Sequence, residues 1–96
     1  VSAEAPELRV LARIAPFREV ERVWLFGSRA RGDARPRSDI DLAIAAPAAD
    51  ARRWQAILDA IEKAPTLLRV DVTRMEEAPE DLRAEILRSG RVIHER

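Results

Sequence analysis

Apolar positions recur along the chain with two different periods, and their succession outlines the fold. Between Pro6 and Ala15, the residues Leu8, Leu11, Ala12 and Ala15 share one helical stripe, which Pro16 ends. Val20 to Phe26 is a β-branched and aromatic run closed by Gly27, the pattern of a strand buried on both faces. Residues 27–38 contain Gly27, Gly32 and Pro36 and predict a loop with room for one helical turn. From Ser38 to Ala45 the alternation is regular, with Ile40, Leu42 and Ile44 on one face and Asp39, Asp41 and Ala43 on the other.

Asp50 is placed to cap a helix running to Lys63, with Trp54, Ile57, Leu58 and Ile61 inward and Pro65 beyond its end. Leu68, Val70 and Val72 then alternate with Arg69, Asp71 and Thr73, which predicts a third strand with one wet face. Pro79 suits the first turn of a last helix, with Leu82, Ile86 and Leu87 inward and Gly90 as its stop. Arg91 to His94 adds a short final strand. The expected class is α/β (α+β), a small mixed sheet with helices packed on it, with residues 1–96 forming one domain around a single core.

Composition narrows the function. The chain carries 17 basic and 17 acidic residues, and this neutral balance argues against a nucleic-acid coat or a membrane-surface protein. The absence of cysteine removes disulfides, thiolate metal sites and cysteine nucleophiles, and His94 as the lone histidine removes a multi-histidine zinc site. The apolar run from Leu42 to Ala49 is too short to span a membrane. The start at Val1 shows no basic stretch followed by an apolar one, so the expected location is the cytoplasm. Lys63 is the only lysine, and the arginines are unevenly spread: Arg29, Arg31, Arg35 and Arg37 crowd one loop.

That loop carries the chemistry. Gly27 and Gly32 have the spacing of a Walker A loop, but Asp33 and Ala34 stand where lysine and a hydroxyl residue are required, so that reading fails. What remains is Gly27-Ser28, ten intervening residues, then Asp39-Ile40-Asp41. Two aspartates at i and i+2 on a strand place both carboxylates on one face, where they resist joint ionisation unless a cation joins them. Carboxylate oxygens are the ligands Mg²⁺ prefers, together with substrate phosphates. Gly27 lets backbone N–H groups approach a phosphate, Ser28 adds a hydroxyl, and Arg29 or Arg31 adds charge-assisted bonds. Asp71 supplies a third carboxylate if its strand lies beside the Asp39–Asp41 strand. Three carboxylates can hold two metals, one at the acceptor hydroxyl and one at the leaving pyrophosphate. Such a site transfers a nucleotidyl group. By chance, the four fixed positions recur in roughly one chain in a thousand of this length. Trp24 and Trp54 lie in apolar patterns and read as core, and His94 reads as a bystander.

The block GSRARGDARPRSDIDLAI resembles the signature of the DNA polymerase β nucleotidyltransferase superfamily, in its minimal (MNT) branch. The resemblance extends from the strand before Gly27 through the Asp71 strand to the closing helix and strand around Ala84 to His94. It implies that Gly27 and Ser28 hold the triphosphate, that Asp39 and Asp41 bind Mg²⁺, and that Asp71 is the base-like third carboxylate. Arg31 and Ser38 match positions that assist phosphate binding, and ATP is the implied substrate. Arg35 and Arg37 make the loop more basic than the family's pattern, and the loop is rearranged around Pro36. Minimal members are commonly encoded beside a helical HEPN protein, and some are antitoxins that place AMP on a tyrosine of that partner. Two other functions fit the same residues: the catalytic chain of a small-molecule, aminoglycoside-type nucleotidyltransferase, and a nucleotide-binding module without turnover. The chain contains no tyrosine, and its hydroxyl side chains are Ser2, Ser28, Ser38, Thr66, Thr73 and Ser89, so a tyrosine acceptor must come from another chain.

Overall fold

A computed structural model describes residues 5–96; Ser2 and the Val1 start lie outside the described residues. The elements follow in the order α1 (Pro6–Ile14), β1 (Arg22–Phe26), α2 (Ser28–Arg31), β2 (Ile40–Ala45), α3 (Ala51–Glu62), β3 (Val70–Arg74), a 3-10 turn (Met75–Glu77), α4 (Glu80–Ser89) and β4 (Arg91–Glu95). The four strands form one sheet in the order β3-β2-β1-β4. β1 runs antiparallel to both β2 and β4, whereas β2 and β3 are parallel. A parallel pair needs a crossover, and α3 provides it.

β1 and β2 are central because both of their faces are apolar. Val23, Leu25, Ile40, Leu42 and Ile44 are fully buried in one cluster with Val10 and Ile14 of α1 and Ile57 and Ile61 of α3. On the opposite face Trp24 and Ala43 pack with Met75 and Ile86, forming a smaller cluster under α4. α3 begins where expected: Asp50 caps it by accepting a hydrogen bond from the Arg53 N–H at 2.8 Å. α4 has Glu80 and Asp81 in its first turn and Arg88 in its last, each opposing the helix dipole at its own end.

Several expected positions shift. The buried stripe of α1 is Glu7, Val10 and Ile14, so Leu8 is exposed, Ala12 is exposed and Leu11 packs only partly. Glu7 breaks the apolar pattern on that stripe, which hides it from a hydrophobicity reading. In α4, Leu82 and Ile86 turn inward as a pair four residues apart, but Leu87 lies a further 100° round and is 56% exposed. Gly90 ends α4 in an extended conformation, φ −72° and ψ 152°, rather than a left-handed one. Its lack of a side chain matters for room, since a Cβ there would stand 2.5 Å from the Ile86 carbonyl oxygen. β1 starts at Arg22, because Val20 is held in a turn by a bond from its N–H to the Phe17 carbonyl. β2 starts at Ile40, which leaves Asp39 just before the strand.

Two arginines tie the periphery to the sheet. Arg96 donates to the carbonyls of Ala15, Phe17 and Val20, closing the turn between α1 and β1. Arg74, 13% exposed, donates to the carbonyls of Ala46 and Ala49 at 2.8 and 2.7 Å and pairs with Glu76 at 3.2 Å. Its guanidinium also lies 4.9 Å from the Trp54 ring centre. Replacing it removes a charged donor from all three acceptors, although the Ala46 carbonyl keeps the Ala49 N–H and Glu76 keeps the Ala46 N–H. Arg74→Leu is therefore expected to cost about 3 kcal/mol in urea unfolding, where Arg88→Leu, at a 70% exposed pair, costs less than about 1 kcal/mol.

Candidate active site

The loop after β1 is built by two left-handed glycines. Gly27 has φ +73° and ψ −154°, a conformation essentially reserved for glycine, and it turns the chain straight into α2. Gly32, at φ +82°, ends α2, and the Asp33 N–H closes back on the Ser28 carbonyl at 3.1 Å. The N–H groups of Ser28 and Arg29 head this short helix, where no helical carbonyl precedes them. Beyond Gly32 the loop is held from within. The Arg29 guanidinium donates to the carbonyls of Ser38 (2.8 and 3.2 Å) and Pro36 (3.3 Å). Ser38 and Arg35 bond each other twice, from Ser38 N–H to the Arg35 carbonyl and from Arg35 N–H to the Ser38 hydroxyl.

The strand pairing brings the carboxylates together. Asp41 and Asp71 are direct partners across the parallel β2–β3 ladder, so their side chains leave the same face of the sheet, the face that α4 covers further along. Asp39 is the loop residue just before Ile40, two positions ahead of Asp41. The Asp41 carboxyl is pushed above the usual carboxylate range, first by burial and then by the negative charges of Asp71 and Asp39, with Arg31 acting in the opposite sense. Asp41 also packs against the bend: a Cβ built on Gly27 would collide with Asp41 Oδ2 and stand 3.2 Å from its Cγ.

Among the described residues, however, no three carboxylates converge as a ready metal cage. The reason is visible at Asp71, whose Oδ1 accepts a bond from the Arg69 Nε at 3.0 Å. Arg69 thus gives Asp71 a partner on its own strand.

The residues expected at the site thus divide into two groups. Gly27, Ser28, Arg31, Asp39, Asp41 and Asp71 surround the bend and the paired strands. Arg29 and Ser38, expected to touch phosphate, bond the loop itself through their side chains. Arg31 is exposed and lies 3.4 Å from Asp33. Arg69 was missed by the sequence reading, although an arginine two positions before Asp71 on an alternating strand must share its face.

With this geometry the family is decided by a match over most of the chain: a family model for the polymerase β nucleotidyltransferase domain covers residues 11–96. The chain belongs to that family. This nucleotidyltransferase is similar to a solved minimal nucleotidyltransferase, with 28% identity and a TM-score of 0.57 over 88% of each chain. It shares its fold with a toxin–antitoxin crystal structure containing AMP-PNP, with 22% identity and a TM-score of 0.70 over 95% of this chain and 72% of that one. It also shares the fold of the MntA–HepT toxin–antitoxin, with 21% identity and a TM-score of 0.56 over 94% of this chain and 68% of that one. No curated protein matches the sequence. Among the described residues no helix is long and apolar enough to cross a membrane.

Proposed function

We propose that this nucleotidyltransferase is the antitoxin of a two-protein system, moving AMP from ATP to a tyrosine of a helical HEPN partner in the cytoplasm. The observation that carries the chemistry is the register of Asp41 against Asp71, with Asp39 beside them and the Gly27 bend packed on Asp41. The donor set fits Mg²⁺: all three groups are carboxylates, and their mutual repulsion at Asp41 is what a divalent cation relieves. Asp39, Asp41 and Asp71 would hold two such ions. When bound, Mg²⁺ supplies charge neutralisation at the phosphates and polarises the acceptor hydroxyl.

The chain's own groups do the rest. The Ser28 hydroxyl and the N–H groups of Ser28 and Arg29 bind the terminal phosphates, and Arg31 adds a charged donor at the mouth of the site. Asp71 Oδ2, not engaged by Arg69, takes the proton of the acceptor hydroxyl. The acceptor oxygen then forms its bond to the α-phosphorus as the bond to the bridging oxygen breaks, and pyrophosphate leaves. Support for a protein acceptor comes from the fold shared with toxin–antitoxin complexes and from the neutral net charge; with no tyrosine in this chain, a tyrosine acceptor comes from another one.

Arg31→Ala is expected to raise the KM for ATP about ten- to a hundredfold, the worth of one charged hydrogen bond, with less effect on metal affinity. Arg29→Ala should behave differently, lowering the melting temperature as it frees the Pro36 and Ser38 carbonyls. Steady-state kinetics and thermal melts on the two variants separate these roles. Intact-mass spectrometry of the chain co-expressed with its helical partner tests the function itself. One or more AMP units on the partner, lost in Asp39→Asn and Asp41→Asn, are expected. An unmodified partner beside an adenylylated aminoglycoside would transfer the activity to the small-molecule class.

A further inference from the structure

β3 is an edge strand, bonded on one side only, and every one of its residues is partly exposed. The Ile40 N–H bonds the Arg69 carbonyl, so the alternation of a parallel ladder turns the backbone groups of Asp71 inward. Those of Val70 and Val72 point to the open edge, and among the described residues they have no partner. A cavity of about 450 Å³ lies along this edge, between β3 and the second half of α3. Leu58, Leu68, Val70 and Val72 give it apolar walls, Asp59 and Glu62 stand at it from α3, and Asp71 reaches it from the candidate site. The cavity and the carboxylate site therefore share a residue.

Charge tells what the cavity can receive. Among the described residues Glu62 has no basic partner, and Asp59 accepts only an amide bond, from Gln55 at 2.9 Å. Of the two, Glu62 is the stronger determinant, since Arg13 and Lys63 line the cleft on the far side of Asp59. Asp71 is already matched by Arg69, so the unbalanced negative charge lies on the α3 side.

We propose that the acceptor reaches this nucleotidyltransferase as an extended, basic protein segment laid along the open edge of β3, with a basic side chain against Glu62 and Asp59. The proposal rests on the protein-acceptor reading above and adds the conformation and charge of what is accepted. Backbone bonds to Val70 and Val72 hold the segment in register as an added strand, and alternate side chains of such a strand fall on opposite faces. An apolar side chain then enters the cavity beside Leu58 and Leu68, while its neighbour, the accepting hydroxyl, points to the face that carries Asp71.

Two synthetic peptides test this, identical but for two lysines or two glutamates flanking one tyrosine, each presented to the full chain with Mg²⁺ and ATP. Peptide adenylylation is read by mass, peptide binding by amide shifts of β3, and ATP-analogue binding by calorimetry. The lysine peptide is expected to react about tenfold faster, as two partly exposed ion pairs allow, and to shift the Val70 and Val72 amides. Asp59→Lys/Glu62→Lys should reverse the preference and leave ATP-analogue binding unchanged. Equal rates for the two peptides, a preference for glutamate, or no binding at β3 would overturn the proposal while ATP-analogue binding persists. Loss of Mg²⁺-dependent ATP-analogue binding in the unmodified chain would instead overturn the catalytic reading beneath it.

Discussion

Asp41→Asn abolishes nucleotidyl transfer and, in metal-free protein, raises the melting temperature. Both expectations come from one carboxylate. Asp41 is half-buried between Asp71 and Asp39, and the cost of holding its charge there is what pushes its pKa up. A carboxylate whose folded pKa exceeds its unfolded one opposes folding; that penalty builds as pH rises from the unfolded value to the folded one, is complete above the folded value and vanishes below the unfolded one. The amide keeps the shape and removes the charge. The gain in melting temperature, measured in chelator, is therefore largest near neutral pH and fades as the pH falls and the native Asp41 itself takes a proton. Transfer falls by at least about a hundredfold, since one charged interaction of about 3 kcal/mol is lost at the reacting phosphates. A variant that melts lower than the native chain in chelator, or keeps near-normal turnover, would refute this account of the site.

The second large effect belongs to Gly27. The sequence suggests that a missing Cβ lets phosphate approach; the structure adds a nearer reason, because the space a Cβ would need is filled by Asp41. Gly27→Ala therefore brings two penalties. A non-glycine residue at φ +73° and ψ −154° costs about 1–3 kcal/mol of backbone strain, and Asp41 must leave its position. We expect transfer to fall about a hundredfold or more and stability by about 2 kcal/mol in urea unfolding. Gly27→Ala/Asp41→Ala should recover part of that stability and none of the activity, since the second change removes the colliding carboxylate. Gly32→Ala is the control: its φ is also positive, but nothing lies within 4 Å of the added Cβ, so only about 1 kcal/mol is at stake.

Much of the fold was legible because strand alternation is a rigid code. Ile40, Leu42 and Ile44 could face only one way once Asp41 faced the other, and the Asp71 strand read the same way. The Asp50 cap and Pro65 bounded α3 by local chemistry. The misreadings arose where a residue's environment depends on something distant. Glu7 is buried and Leu87 exposed because the sheet offers α1 and α4 only narrow stripes, whose placement no local pattern carries. Arg29 and Arg31 are the same residue type two positions apart. Only the path of the loop gives one guanidinium the carbonyls of Pro36 and Ser38 and leaves the other exposed beside Asp33. Asp39 looked like a strand residue until the Ser38–Arg35 turn placed it just before β2. Arg69 went unread because alternation showed its face but not its bond to Asp71.

The sheet order also governs how the protein comes into being. β1 has neighbours of very different provenance: β2 follows it after one loop, whereas the Arg22–Glu95 contact with β4 spans 73 positions. Closing the longer span costs more chain entropy and offers its reward later, so the β1–β2 pair with its glycine bend is the natural place to nucleate. Asp41 is thereby positioned early, while one flank of β1 stays bare until β4 arrives. In the interval the molecule is a growing chain with its carboxylate hairpin assembled and a hydrophobic strand edge still open to neighbours, which makes the last strand as much a guard against aggregation during synthesis as a part of the finished sheet.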